Sequence, residues 1–287
     1  MTTIIHFAHA NSFPASVYRK LHQSLREQGC HVGYLDCIGH DPRYPVTDCW
    51  PHLVEETVAY LRQHYDRPVV GVGHSLGGFI LFFAAIRHPE LFSKLIILDS
   101  PLMGPLRSRG IWLAKKLGFI DRVTPGGNTL KRRDNWASVE SVYDYFARKP
   151  MFARFDPDCL HDYAEFGTVA TAGGGRRLKF RPVIENAIYN TLPHSVPRYK
   201  GQLRVPTVFV AGETSDVLTP ADLAYMHKHF AVSIIVQKGS HLFPLEHPQA
   251  TAALIMAQLT DSVTVLLADQ VAHQEAAGVD GIHDAAG

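Results

Sequence analysis

The sequence predicts an α/β fold: a doubly wound, mostly parallel sheet with an inserted, mainly helical cap. Three observations carry this. Short apolar runs alternate with helix-like stretches along the chain. Four of those runs are nearly continuous in Val, Ile and Leu, the pattern of strands buried on both faces. The alternation stops between residues 101 and 200 and then resumes.

The strand-like runs are "TIIHFA" (3–8), "HVGYLD" (31–36), "PVVGVG" (68–73), "KLIILD" (94–99), "PTVFVAG" (206–212) and "VSIIVQKG" (232–239). Helix-like stretches cover 14–28, 52–65, 77–88, 220–229 and 247–259. Strand, helix, strand order at this spacing predicts right-handed crossovers. Residues 101–200 read as a cap with helix-like pieces at 106–118 and 137–147 and a flexible loop at "TAGGGRR" (171–177). This segment holds 17 Lys+Arg and 9 Asp+Glu, a net of +8, against −7 for the remainder. The expected division is a core of 1–100 and 201–265, the 101–200 insertion, and a 266–287 tail, with one more helix at 262–276.

Composition narrows the function classes. Hydrophobic content of 46% and charged content of 19% describe a globular chain long enough for a sizeable core. A net charge of +1 gives no electrostatic reason to expect nucleic acid. Cys30, Cys37, Cys49 and Cys159 form no C-x-x-C pair and no zinc-like spacing, so free thiols in a reducing compartment are expected. "MTTIIHFAHA" (1–10) lacks the features of a signal peptide, and no run is long enough to span a membrane. A cytoplasmic location is the expectation.

Gly73-His74-Ser75-Leu76-Gly77 matches G-x-S-x-G between a buried strand and a helix, the context a nucleophile elbow requires. Small neighbours leave room for a strained serine whose Oγ points away from the sheet. The Leu76 N–H then faces the reacting centre at a helix N-terminus. A plain strand–helix turn with a capping serine is the other reading. A serine nucleophile needs a base. His241 sits just past the last strand-like run, at the strand end where parallel sheets collect catalysts, with His247 as its rival. Asp216, in the turn "ETSDVLTP", is the expected orienting carboxylate. Asp99, ending "LIILD", is the alternative acid, read instead as a structural turn residue. The first strand ends in "FAHANSFPAS", where the N–H of Asn11, or of Ala10, would complete an oxyanion hole with Leu76.

On "HANSFPAS", "GHSLGG", "GETSDVLTP" and "GSHLFPLEHP" the chain resembles the α/β-hydrolase superfamily over residues 1–100 and 201–260. The resemblance points to a serine esterase and lipase-like branch, and "YAEFGT…GGGRRLKFRPVIENAIY" (163–189) loosely resembles its cap. It implies a Ser75, Asp216, His241 triad with Leu76 and Asn11 as oxyanion positions. The usual oxyanion-turn glycine is replaced by Ala10, the usual first two strands are missing, and the Asp-x-x-Gly-x-Gly loop survives only as "LDCIGHDPRYP" (35–45). Serine at 75 argues against the dehalogenase and epoxide-hydrolase branches, which use aspartate there.

The expected activity is hydrolysis of small-molecule carboxylic esters without a cofactor or metal. The same triad serves thioester, lactone or C–C bond hydrolysis and acyl transfer. A ligand-binding protein that keeps the elbow without turnover is the reading from another class. His74 and the cap aromatics Trp112, Trp136, Tyr143 and Phe146 are candidate substrate contacts. The aromatics have internal packing of the cap as their alternative role. A basic cap over an acidic core would steer anionic acyl substrates.

Overall fold

A computed structural model describes residues 2–259, so the expected helix at 262–276 and the tail lie outside the described residues. In chain order the first half is β1 (Ile4–Ala8), α1 (Arg19–Glu27), β2 (His31–Tyr34), α2 (Pro51–His64), β3 (Val69–His74), α3 (Leu76–Arg87) and β4 (Phe92–Leu98). Six short helices follow, α4 (Pro105–Lys116), α5 (Ile120–Val123), α6 (Gly126–Thr129), α7 (Val139–Ala147), α8 (Pro157–Phe166) and α9 (Pro182–Asn190), with a hairpin of β5 (Thr168–Ala170) and β6 (Arg176–Leu178) before α9. The chain then resumes with β7 (Thr207–Gly212), α10 (Pro220–Phe230), β8 (Ser233–Gln237), α11 (Phe243–Glu246) and a helical stretch at 248–259.

β1, β2, β3, β4, β7 and β8 form one sheet in the order β2-β1-β3-β4-β7-β8, with every pair parallel. The doubly wound α/β class read from the alternation is thus the observed one. Every residue of β3 and of β7 is buried, which is why those runs are unbroken in apolar residues. α3 is buried from Leu76 to Ala85 and packs on β1, β3, β4 and α2. A helix apolar all round can sit only in such a place.

The register brings four carboxyl ends level. Gly73 pairs with Ile97, Leu98 with Val210, and Gly212 with Gln237. The loops after β3, β4, β7 and β8 therefore open on one edge of the sheet, where a parallel sheet holds its ligands.

The insertion between β4 and β7 meets the core through rings and charges. Phe13 of the core lies 5.5 Å from Tyr163 and 6.1 Å from Phe152 by ring centroid. Lys115 pairs with Asp48, Lys179 with Asp36, and Arg107 with the buried Asp222. Arg19–Asp162 and Lys20–Asp156, each 2.8 Å, run in the opposite sense. Several of the charges behind the +8 and −7 imbalance thus hold the insertion to the core instead of facing solvent as a steering field. "TAGGGRR" is not all loop: 171–175 turn the β5–β6 hairpin, Arg176 and Arg177 begin β6, and Trp136 adds a bridge to Arg176.

His6, His9, His22 and His74 are all buried. Burial lowers His6 and His22 to about 3 and His9 to about 4, and it holds His74 well below the ordinary value. Above pH 6.5 both folded and unfolded chains carry these rings neutral. Below it the unfolded chain takes up protons that the folded chain refuses, so stability falls as pH falls. Urea unfolding at pH 6 and pH 5 should differ by roughly 1 kcal/mol for each such histidine, about 4 kcal/mol together. A flat profile across that window would contradict the burial of these rings as neutral groups.

Candidate active site

Ser75 stands between β3 and α3 with φ 52° and ψ −112°. A non-glycine residue in that region stores roughly 1–3 kcal/mol of strain, which the surrounding structure must hold. The clamp is visible. Ser75 N donates to Leu98 O at 2.9 Å, Ser100 Oγ donates to Ser75 O at 2.6 Å, and Gly77 N donates to His9 O at 3.0 Å. The glycines are required by close approach. A Cβ on Gly77 would meet Ala8 O at 2.1 Å, and one on Gly73 would meet the Gly77 backbone at 2.7 Å. The first turn of α3 is therefore pressed directly against β1 and β3.

His241 Nε2 lies 3.0 Å from Ser75 Oγ. His241 Nδ1 lies 2.7 Å from Asp99 Oδ2. Asp99 ends β4 in a left-handed conformation (φ 48°) with no solvent exposure. Its carboxylate also accepts from Gly212 N at 2.6 Å and from Ser215 Oγ at 2.5 Å. With a carboxylate on Nδ1, that nitrogen carries the proton, and Nε2 is left to accept from the serine hydroxyl.

The acid expected from the sequence, Asp216, is not the residue that meets His241. It is exposed, one position beyond Ser215. The loop after β7 turns Ser215 inward, and the left-handed Asp99 fills the place next to the imidazole. β4 lies between β3 and β7, so its carboxyl end sits closer to Ser75 than that of β7 does.

Leu76 N and Asn11 N make no hydrogen bond among the described residues, so both remain available as donors. Ala10 N is engaged by Tyr18 Oη at 3.4 Å, which leaves Asn11 as the free N–H of the two considered. His9 holds this loop by donating from Nδ1 to Ala10 O at 2.8 Å and accepting from Ile38 N at 2.9 Å.

The model of the alpha/beta hydrolase family matches residues 7–254. The chain belongs to that family. It is similar to a type I acyl-CoA thioesterase, mpaH, of Penicillium roqueforti, with 27% identity over 174 residues. That match takes in 55% of this chain but 38% of that protein, so the chain spans well under half of its relative's length. The fold is similar to the thioesterase domain from the curacin biosynthetic pathway, with TM-score 0.67, 19% identity, and coverage of 89% of this chain and 91% of that one. It is also similar to an esterase from Mycobacterium tuberculosis, with TM-score 0.65, 16% identity, and coverage of 91% and 84%. At these identities the structural likenesses speak to the fold. No helix among the described residues of this hydrolase-family chain is long and apolar enough to cross a membrane.

The expected substrate contacts do not gather at Ser75. His74 is buried beneath the site, with Nδ1 2.8 Å from Tyr18 Oη and Nε2 2.8 Å from the His241 carbonyl. It holds the His241 backbone instead of meeting a ligand. Trp112 is 46% exposed on α4, under the Lys116 ammonium. Trp136 and Phe146 are buried against each other in the insertion, and Tyr143 packs on the same cluster. Trp136, Phe146 and Tyr143 pack internally, and Trp112 does not.

Three supporting residues are not singled out by the sequence. Tyr18 holds His74, Ser215 satisfies Asp99, and Glu246 fixes the loop of His241. Glu246 accepts from Ser240 N at 2.8 Å and from Ser240 Oγ at 2.5 Å. Only its place in "SHLFPLE", close to the histidine, hints at the role.

Mutating each carboxylate in turn should separate their roles. Asp99→Asn should lower kcat on a p-nitrophenyl ester by roughly 10⁴, because the wrong tautomer then faces Ser75. Asp216→Asn, an exposed change, should stay within about two-fold. The reverse ranking would reject the observed pairing as the working one.

Proposed function

We propose that this chain is a serine hydrolase acting on carboxylic esters through an acyl-enzyme. The observation that supports it is the continuous line from Ser75 Oγ through His241 to the buried Asp99 carboxylate. In this reading Ser75 Oγ attacks the acyl carbon while His241 Nε2 takes its proton. Asp99 holds the imidazole in the required tautomer and stabilises the imidazolium that forms. The oxyanion that develops is met by Leu76 N and Asn11 N, worth about 10²–10³ in rate for each donor of this kind. His241 then protonates the leaving group. Water, activated by the same histidine, attacks the acyl carbon and returns the proton to Ser75. Neither half-reaction calls for a cofactor. Residues 101–200 serve as a cap over the 1–100 and 201–265 core and set which acyl chains enter. The site is suited to a small-molecule substrate, and a cytoplasmic setting fits the free thiols.

The similarity to a protein named as an acyl-CoA thioesterase favours one refinement, a thioester as the scissile bond. The triad handles both, so the leaving group decides. Matched acyl chains presented as a coenzyme A thioester and as an oxygen ester separate them. A higher kcat/KM on the thioester assigns it.

A fluorophosphonate probe should label the wild type once, at Ser75, and p-nitrophenyl esters should be turned over. Ser75→Ala should abolish labelling and lower kcat by roughly 10⁶. A folded wild type that neither labels nor hydrolyses would favour the ligand-binding alternative.

A further inference from the structure

We infer that Asp48, Cys49 and His194 form a binding site for one divalent transition metal of the zinc class. Their ligand atoms lie within 4.8 Å of one another, the one such grouping of metal-binding side chains among the described residues. Cys49 Sγ is 3.4 Å from His194 Nδ1 and 3.8 Å from Asp48 Oδ2. Zinc binds sulfur at about 2.3 Å and nitrogen or oxygen at about 2.0–2.1 Å, so tetrahedral ligands stand about 3.5 Å apart. The two separations from Sγ bracket that edge, and the third pair lies within 4.8 Å, so a metal seated among the three draws the Asp48 and His194 side chains inward by at most about 1 Å.

The ligands come from two distant segments. Asp48 and Cys49 precede α2, and His194 lies in the stretch returning from the insertion. This separation is why the cysteine spacing alone carried no metal signal. The two segments are already joined. Cys49 N donates to Thr191 O at 2.9 Å, and Trp50 Nε1 donates to Ile188 O at 3.2 Å and to Thr191 Oγ1 at 3.0 Å. Lys115 Nζ holds the other oxygen of Asp48 and donates to Leu192 O at 2.9 Å, leaving Oδ2 toward the sulfur. The three side chains line a cavity of about 370 Å³ together with Phe83 and Tyr199, with room for water as a fourth ligand.

The donor set decides which metal. Lys115 contacts Asp48, and Arg87 and Arg198 line the same cavity. These cations oppose any divalent ion, and a hard ion such as Mg²⁺ would have one carboxylate alone to offset them. A thiolate bond favours Zn²⁺ or Co²⁺ over Mg²⁺ or Ca²⁺. On binding, the metal–sulfur bond replaces S–H and the proton leaves to solvent. The metal then links the loop before α2 to the base of the insertion, apart from Ser75, and none of its ligands enters the proposed reaction.

The test is a CoCl₂ titration of the reduced, full chain, read by absorption. The expected result is a near-ultraviolet thiolate-to-cobalt band that saturates at one equivalent. ZnCl₂ abolishes it and MgCl₂ does not. Cys49→Ser should lose the band, His194→Gln should weaken binding at least ten-fold, and Cys37→Ser should keep both. Fluorophosphonate labelling of Ser75 in Cys49→Ser reports an intact fold. Should that variant not fold, the wild type serves: Zn²⁺ should slow iodoacetamide alkylation of Cys49 at least ten-fold by mass spectrometry, and Mg²⁺ should not. No band in the wild type, a band that survives Cys49→Ser in a folded variant, or alkylation of Cys49 unchanged by Zn²⁺ would overturn the site.

Discussion

The Asp99 carboxylate has no contact with solvent, and the arrangement around it follows from that constraint. A buried charge without partners costs several kcal/mol, so every oxygen must be met. Gly212 N and Ser215 Oγ, from the end of β7, supply two donors, and His241 Nδ1, from beyond β8, supplies the third. One side chain on β4 thereby ties together the carboxyl ends of three neighbouring strands. The imidazole is turned by this bond so that Nε2 faces Ser75. Losing any one donor would leave part of the charge unpaired, so the loop after β7 matters to the site without touching Ser75.

The other half of the site is built by close approach. Gly73 and Gly77 let α3 press on β1 and β3 at separations that no Cβ tolerates. That contact holds Ser75 in its strained conformation and keeps the Leu76 N–H at the helix start, next to the Asn11 loop. Beneath it, neutral His74 spans Tyr18 and the His241 carbonyl, so His241 is fixed from its backbone as well as its ring. Glu246 locks Ser240 on the preceding side. The line of hydrogen bonds is thus held from four elements, which is how a strained serine and a buried carboxylate persist together.

The strands and the elbow were legible because their signals are local. Short Val, Ile and Leu runs bounded by turn residues suit strands buried on two faces, and G-x-S-x-G between strand and helix needs no distant partner to be recognised. His241 was legible from its place after the last strand. The choice between Asp99 and Asp216 was not. Both follow strands, and what separates them is loop geometry: Asp99 takes φ 48°, and Ser215 turns inward in place of its neighbour. The insertion's aromatics show the same limit. The sequence left Trp136 and Phe146 between substrate contact and packing within the cap, and only the fold shows that they bury against each other. Asp48 and Cys49 met His194 only once the chain was folded, across 145 residues of sequence.

The most direct test of this account is the hydrogen bond on which it rests. Proton NMR of the ¹⁵N-histidine-labelled protein should show a strongly deshielded exchangeable proton on His241 Nδ1, as expected for a short bond to a buried carboxylate. This resonance should disappear in Asp99→Asn and persist in Asp216→Asn. Its survival in Asp99→Asn, or its loss in Asp216→Asn, would contradict the pairing.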